Sequence, residues 1–434
     1  MKKGFLTGLL LFGIFFGAGN LIFPPNLGKL SGENFNLTIF GFILSGVGLA
    51  ILTLVVGTLD KDGFKLQMSK KISPAFSVGF LIILYLAIGP FFAIPRTASA
   101  SFSMGVAPFT GSGFLPLLIY TFLYFGTAYL FSLFPSNIVS SIGKFLTPVF
   151  IVLIMLLVLL GAIKYRDVGI SPASAAYSSA KAFSTGFIEG YSTLDALASI
   201  AFSVIAVNTL KKFTFSSRTE YKNSVYIAGI TAAVLFSILY YGLAYLGNRF
   251  PVPDAILNDT DINNGVYIIS NSAKEIFGNY GGIFLGVMVI VTCFTTTVGL
   301  IVSVSEFFYE LYPKIGYKTY MTIFTLISFA ITNMGLTTVI KISLPVLSIL
   351  YPMVIAILLI ILLSYVRKLS NPCLQLTVGI TFVISFCDVI IKTFNLKFLE
   401  NIFSHLPFYE QSLSWLIPAL ILLTLSVFLP AKAE

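Results

Sequence analysis

Two short stretches of this chain carry groups able to hold a small charged molecule. The first is Gly17-Ala18-Gly19-Asn20, inside the run Leu11 to Pro25. An apolar helix leads into it, two flexible glycines flank Ala18, Asn20 is a helix-capping type, and Pro24 and Pro25 follow. A break at this point frees backbone amides and carbonyls that lipid cannot satisfy. A half-helix restarting near Asn20 would aim its N-terminal amides and positive dipole end at a carboxylate. Pro24 and Pro25 are expected in its first turns, where a missing N–H costs least. The second stretch is Glu189-Gly190-Tyr191-Ser192-Thr193-Leu194-Asp195, between Phe183–Ile188 and the apolar Ala196–Val207. Carbonyls freed between Glu189 and Thr193 would accept an ammonium. Gly17, Ala18, Gly19, Asn20, Glu189, Gly190, Ser192 and Thr193 are thus candidate binding residues. Tyr85, Phe187 and Tyr191 are candidate walls for an apolar side chain. Such a wall discriminates one methylene by only about 1–3 kcal/mol, so aliphatic side chains of similar size would share it.

A third feature is the hydroxyl cluster Thr292, Thr295, Thr296 and Thr297 around Cys293. Hydroxyls three or four residues apart share a helix face. They either face an ion or bond back to their own helix. Arg96, Glu189 and Asp195 are the ionisable groups expected to face the protein interior, each costing roughly 2.5–3.5 kcal/mol at mid-membrane unless offset. Pairing of Arg96 with Asp195 or Glu189 is the expected offset. Asp388 and Lys392, four apart, should satisfy each other. Glu306 and Glu310 read as solvated helix-end charges.

The elements that position these groups follow from composition. Of 434 residues, 57% are hydrophobic and only 10% charged, against about 25% charged in soluble domains. The expectation is an all-α polytopic membrane protein of about twelve spans. Their limits are near 4–30, 36–58, 75–103, 114–134, 143–164, 183–209, 223–247, 280–310, 317–340, 343–366, 374–393 and 413–430. Lys2, Lys3, Lys61, Lys65, Lys70, Lys71, Lys211, Lys212, Lys314, Lys318, Arg367 and Lys368 fall on one set of alternate loops, while Asp254, Asp259 and Asp261 share a loop of the other set. That places both termini in the cytoplasm. The Met1-Lys2-Lys3 start reads as retained rather than cleaved. A short external helix is expected around Val266–Ile269.

The first and sixth spans are the broken ones, five apart. Five is odd, so two five-helix units, about 1–165 and 183–366, would lie in opposite orientations. Interrupted helices at matching places in two halves point to a mid-membrane site between inverted repeats. Residues 1–366 would form this core, and 367–434 two additional helices.

The motifs Phe16-Gly17-Ala18-Gly19-Asn20-Leu21-Ile22-Phe23-Pro24-Pro25, Tyr85-Leu86-Ala87-Ile88-Gly89-Pro90-Phe91-Phe92-Ala93-Ile94-Pro95-Arg96-Thr97-Ala98 and Gly190-Tyr191-Ser192-Thr193-Leu194-Asp195-Ala196-Leu197-Ala198 resemble those of the bacterial branched-chain amino acid:cation symporters. The resemblance implies the leucine transporter fold in a bacterial inner membrane. It implies uptake of L-leucine, L-isoleucine and L-valine, driven by Na+ or H+, with no organic cofactor. It also implies a sodium site from carbonyls of Gly13 and Phe16, hydroxyls of Thr296 and Thr297, and the Cys293 carbonyl. A relative of the same fold carrying another amino acid or a nucleobase is the alternative.

Other classes fit poorly. The net charge of +9 is accounted for by basic loops, not by nucleic acid. A single histidine, His405, and three unpaired cysteines offer no metal centre or disulfide framework, and no catalytic dyad is visible. A channel would call for repeated polar rings, which the sequence lacks. The oligomeric state is not legible.

Overall fold

Apolar runs of this length must satisfy their backbone internally, and the chain does so with helices. The computed structural model describes residues 2–59, 63–133, 137–211, 213–259, 262–367 and 369–428. Both chain ends and Lys61, Lys212, Asp261 and Lys368 of the loops discussed above lie outside the described residues. The helices are α1 (Lys2–Phe15), α2 (Ala18–Ser31), α3 (Phe35–Ile43), α4 (Ala50–Leu59), α5 (Gly63–Lys71), α6 (Pro74–Leu86), α7 (Ala93–Gly105), α8 (Ala107–Thr110), α9 (Phe114–Leu133) and α10 (Asn137–Lys164). After a long connection come α11 (Ala182–Glu189), α12 (Asp195–Lys211), α13 (Arg218–Arg249), α14 (Asp254–Leu257), α15 (Asn264–Leu311), α16 (Tyr317–Thr332), α17 (Leu336–Val366), α18 (Asn371–Phe394), α19 (Lys397–Phe403) and α20 (Leu416–Phe428). No strand occurs among the described residues.

Seven described helical stretches are long and apolar enough to cross a membrane, and two shorter apolar helices accompany them. At the two breaks the helices are cut into pieces of 8 to 17 residues, of which α2 runs on into the counted stretch Ala18–Leu59. Exposed apolar stripes support the membrane reading. Ile230, Val234 and Ile238 recur every fourth residue on the outside of α13, one face of a helix. A soluble protein would carry charge there.

Several helices are irregular where sequence dictates. A wide π-helical turn, Leu44–Leu49, joins α3 to α4. Another, Ala87–Phe91, joins α6 to α7 around Pro90, with Gly89 out of helical geometry, as proline in a span requires. The external helix expected at Val266–Ile269 is longer than that. It starts at Asn264, capped by the Asn263 side chain, which accepts from the Val266 amide at 3.1 Å. It bends at Gly278 into the next span. Gly278 has φ +73°, a conformation that favours glycine.

Close backbone contacts tie the helices of the two breaks to their neighbours. A methyl on Gly28 of α2 would stand 1.8 Å from the Ala244 carbonyl oxygen of α13. One on Gly186 of α11 would stand 2.0 Å from the Thr38 carbonyl oxygen of α3. Small residues permit this approach in membranes, where packing rather than hydrophobicity joins helices. Polar contacts define the two faces of the bundle. Near the N-terminus Lys3 pairs with Glu220 at 2.8 Å and donates to the Thr214 carbonyl. At the opposite end Lys29 donates to Ser171, Ser174 donates to the Leu30 carbonyl, and Lys181 pairs with Glu410 at 3.2 Å.

Candidate functional site

The first break is tight. Phe16 still donates to the Phe12 carbonyl at 3.0 Å. Gly17 is then extended (φ −130°, ψ −172°), and α2 begins at Ala18. The Gly17 amide turns to the Asn20 side-chain oxygen at 3.1 Å, a reach-back cap. This leaves the Gly13 carbonyl without the helical donor four residues on, and the first amides of α2 without intrahelical acceptors. The restart is therefore earlier than the expected Asn20. Pro24 and Pro25 lie in the helix interior, not in its first turns. Their missing N–H groups leave the carbonyls of Asn20 and Leu21 without helical donors.

The second break is built differently. A 3-10 turn, Gly190–Thr193, follows α11, and Leu194 takes a left-handed conformation (φ 64°, ψ 4°) before α12 starts at Asp195. The two breaks face each other. A methyl on Gly19 would sit 3.5 Å from the Thr193 carbonyl oxygen.

A cavity of about 50 Å³ lies between them. Gly17, Ala18, Gly19, Asn20 and Thr193 line it, with Thr296 from α15. The apolar wall comes from Ile14, Phe15, Ile88, Ala93, Ala198, Phe202 and Leu300. Two charged residues also line it, Arg96 and Asp195, both almost fully buried.

These charges do not pair with each other as expected. Asp195 Oδ2 accepts from the Asn20 amide at 3.0 Å and the Tyr240 hydroxyl at 2.7 Å. Asn20 also donates to Tyr240. Arg96 donates instead to the Ser192 carbonyl and, at 2.7 Å, to the Ser343 hydroxyl. Its carbon Cζ stands 5.2 Å from the Phe23 ring centre, within cation–π range, and its Nε is buried without a partner. The cause is geometric: the second break offers a freed carbonyl, and Asn20 with Tyr240 already satisfies the carboxylate.

Other sequence candidates lie elsewhere. Tyr85 stacks on Phe307 at 4.0 Å between ring centres, outside the cavity wall. Phe187 packs edge-on against Tyr191, which stacks on Tyr351 at 4.4 Å. Glu189 stands beside Tyr177. Gly190 lies against the Ser45 hydroxyl, with no room for a side chain. Ser192 contributes its carbonyl to Arg96.

Of the hydroxyl cluster, Thr296 donates to its own helix at the Thr292 carbonyl (3.1 Å) while its methyl faces Gly17. Thr297 bonds to Thr97 at 2.8 Å and Tyr124 at 2.9 Å, and Thr97 itself lines the cavity. Cys293 reaches the Ala18 backbone amide. Phe16 is walled in by Phe12, Phe150 and Phe236. Among the cavity residues not chosen from sequence as binding groups, Arg96 and Asp195 had a signal, being ionisable in apolar spans. Phe202 and Leu300 had none.

An interrupted pair of helices around a buried polar hollow is a transporter arrangement, and the comparisons give it a family. The sequence profile described as "Branched-chain amino acid transport protein" matches residues 1–433. The chain belongs to this family. A Staphylococcus aureus strain USA300 protein named "Putative branched-chain amino acid carrier protein" is 41% identical over 426 residues, 97% of this chain and 95% of its own length. One from Staphylococcus saprophyticus is 42% identical over 421 residues, 95% and 93% of the two chains. Among solved structures, Mhp1, a nucleobase-cation-symport-1 family transporter in a closed conformation with bromovinylhydantoin bound, superposes with a TM-score of 0.60 at 14% identity, covering 98% of this chain and 91% of its own. MhsT in complex with L-phenylalanine gives 0.53 at 16% identity, covering 97% of each. These likenesses establish the fold, that of the leucine transporter group. This member of the family is a multi-pass membrane transporter, and neither family nor fold is that of an enzyme.

Proposed function

We propose that this transporter is a secondary symporter that imports leucine, isoleucine and valine with Na+ or H+ by alternating access. The single observation that carries the reading is the set of unlike charges on one mid-membrane cavity. The N-terminal end of α2, whose Ala18 amide meets Cys293, and the Arg96 guanidinium present positive potential, and Asp195 presents negative. A zwitterion fits that set: carboxylate toward Gly17–Gly19, ammonium toward Asp195 and the Thr193 region, aliphatic side chain toward Phe15, Phe202 and Leu300. The staphylococcal relatives, named as branched-chain amino acid carriers, support the substrate class.

The seat for the coupling ion is on the α1 side of the cavity. The Gly13 carbonyl lacks its helical donor, and Thr296 lines the cavity, its methyl toward Gly17 and its hydroxyl bonded to the Thr292 carbonyl, so a turn of its side chain would bring the hydroxyl to the seat. Carbonyl and hydroxyl oxygens suit a hard monovalent cation. Thr297 is committed to Thr97 and Tyr124, so it belongs to the helix-packing network rather than to this seat.

Twelve crossings, two inverted units of about 1–165 and 183–366 and an additional pair in 367–434 complete the reading, with both termini in the cytoplasm of a bacterial inner membrane. The backbone contacts Gly28–Ala244 and Gly186–Thr38 make α2 move with α13 and α11 with α3. Spans 1, 2, 6 and 7 would thus rock as a body against spans 3, 4, 8 and 9. The cavity of about 50 Å³ is far below the roughly 300–1,000 Å³ of ligand clefts, so an amino acid enters only as the wall moves outward.

Uptake of labelled isoleucine into proteoliposomes, with sodium and proton gradients imposed separately, tests the reading. Accumulation under one gradient identifies the coupling ion. Accumulation under neither rejects symport.

A further inference from the structure

A second cavity, of about 330 Å³, opens on the face that carries the Lys181–Glu410 pair. It shares no residue with the central one. Ile188 of α11 and Tyr191 of the 3-10 turn after it supply one wall, the first third of α17 another, the end of α18 a third, and the segment before α20 closes it. Its size falls within the ordinary range for a small-molecule cleft.

Its polar groups are unusual. Ser385, Asp388 and Trp415 are 3%, 7% and 2% exposed. Each has a buried polar atom without a hydrogen-bond partner: Ser385 Oγ, Asp388 Oδ1 and Trp415 Nε1. Buried polar atoms are seldom left so, yet with the Tyr191 hydroxyl four belong to residues of one cavity wall. Asp388 Oδ2 is occupied by Lys392 at 2.9 Å, and Lys392 also donates to Ser412. That i,i+4 pair was legible in the sequence, but it uses only half of the carboxylate. Lys341, also on the cavity wall, enters no ion pair among the described residues.

The pattern is that of a zwitterion acceptor. Asp388 Oδ1 offers an anionic oxygen to an ammonium. Trp415 Nε1, the Lys341 ammonium and the Ser385 hydroxyl offer donors to a carboxylate. Leu344 and Val389 supply apolar surface for an aliphatic side chain. We infer that this cavity is a second binding site for a small aliphatic amino acid, distinct from the transport cavity. Its occupant touches the second break itself at Tyr191, one residue before the Ser192 carbonyl that holds Arg96. Occupancy and the state of the second break are thereby linked. The choice of isoleucine as probe rests on the proposed function; the cavity and its unpartnered groups do not.

Trp415 is the only tryptophan of the chain, so its fluorescence reports this cavity directly. Purified protein titrated with L-isoleucine should show a saturable change in Trp415 emission. Gly19→Leu, which fills the central cavity, should keep that change. Asp388→Asn with Lys341→Gln should raise the half-saturating concentration about tenfold or more, as expected for lost charged hydrogen bonds. Ser385→Ala, a milder change, serves where the double variant does not fold, and should raise it less. The inference is overturned by a flat titration in the wild type. It is equally overturned by a change lost in Gly19→Leu but kept when Asp388 is altered, which would make Trp415 a reporter of the central site. A response to phosphoethanolamine but not to isoleucine would reassign the cavity to a lipid headgroup and also overturn it. Failed uptake under both gradients with a persisting Trp415 response would sink the proposed function and leave this site standing.

Discussion

The two helix breaks solve the same problem with opposite chemistry. The first uses the smallest residues available, so that the main chain of Gly17–Gly19 itself lines the cavity, and one side chain, Asn20, secures the turn. The second keeps large and polar residues and holds them with partners from other helices. Arg96 takes the Ser192 carbonyl, Tyr240 takes Asp195, and Tyr351 stacks on Tyr191. Leu194 is held left-handed there, at a cost of about 1–2 kcal/mol for an L-residue. The difference teaches that the first break is shaped by its own sequence and the second by its surroundings. Asn20 joins the two, since it caps one and donates to Asp195 of the other.

Substitutions can break or sharpen this contrast. The largest effect is expected from Gly19→Leu, whose side chain exceeds the hollow between the breaks. Isoleucine counterflow should vanish while the protein remains monodisperse. Retained counterflow would mean that the first break holds no substrate. Asp195→Asn comes next. It removes the proposed anionic partner of the ammonium and should weaken isoleucine binding roughly 10- to 100-fold, the range for a charged hydrogen bond. Binding measured by scintillation proximity checks it, and unaltered affinity would confine Asp195 to a structural role. Arg96→Gln should destabilise the second break by about 1–3 kcal/mol, because the Ser192 carbonyl loses its partner. A lowered thermal midpoint in detergent is the readout, and an equal loss with Arg96→Lys would show that guanidinium geometry matters. Thr296→Ala should raise the half-saturating sodium concentration about three- to tenfold, the worth of one modest ligand. An unchanged sodium curve removes Thr296 from the ion seat. Leu194→Gly should have the smallest effect, since relief of left-handed strain is offset by lost wall contact; the thermal midpoint should shift by the equivalent of no more than about 1 kcal/mol.

Legibility followed the same divide. Gly17 to Asn20 announced a break because glycine and asparagine have backbone meanings that hold in any context, although the cap fell three residues early. The second break was visible as polarity in an apolar run. Its shape was not, because leucine gives no hint of a left-handed turn. The partner of Asp195 was hidden for another reason. Tyr240 is far along the chain, and with 15% aromatic residues no single ring stands out. The same abundance made Tyr85 and Phe187 attractive as walls, when both are occupied in stacking with other rings. Phe15, Phe202 and Leu300 line the central cavity without any mark in the sequence. Arg96 was seen as an interior charge, but its partner was a main-chain oxygen, which residue types cannot advertise.

The smallness of the central hollow carries a consequence for energy conservation. A carrier that kept a wide standing chamber at mid-membrane would hold a file of water there, and protons or sodium could slip through without cargo. Here the walls rest nearly closed, and room for passage must be created by the passenger itself. Tight stoichiometry between driving gradient and nutrient would then follow from steric closure alone, with no separate plug or gatekeeper needed.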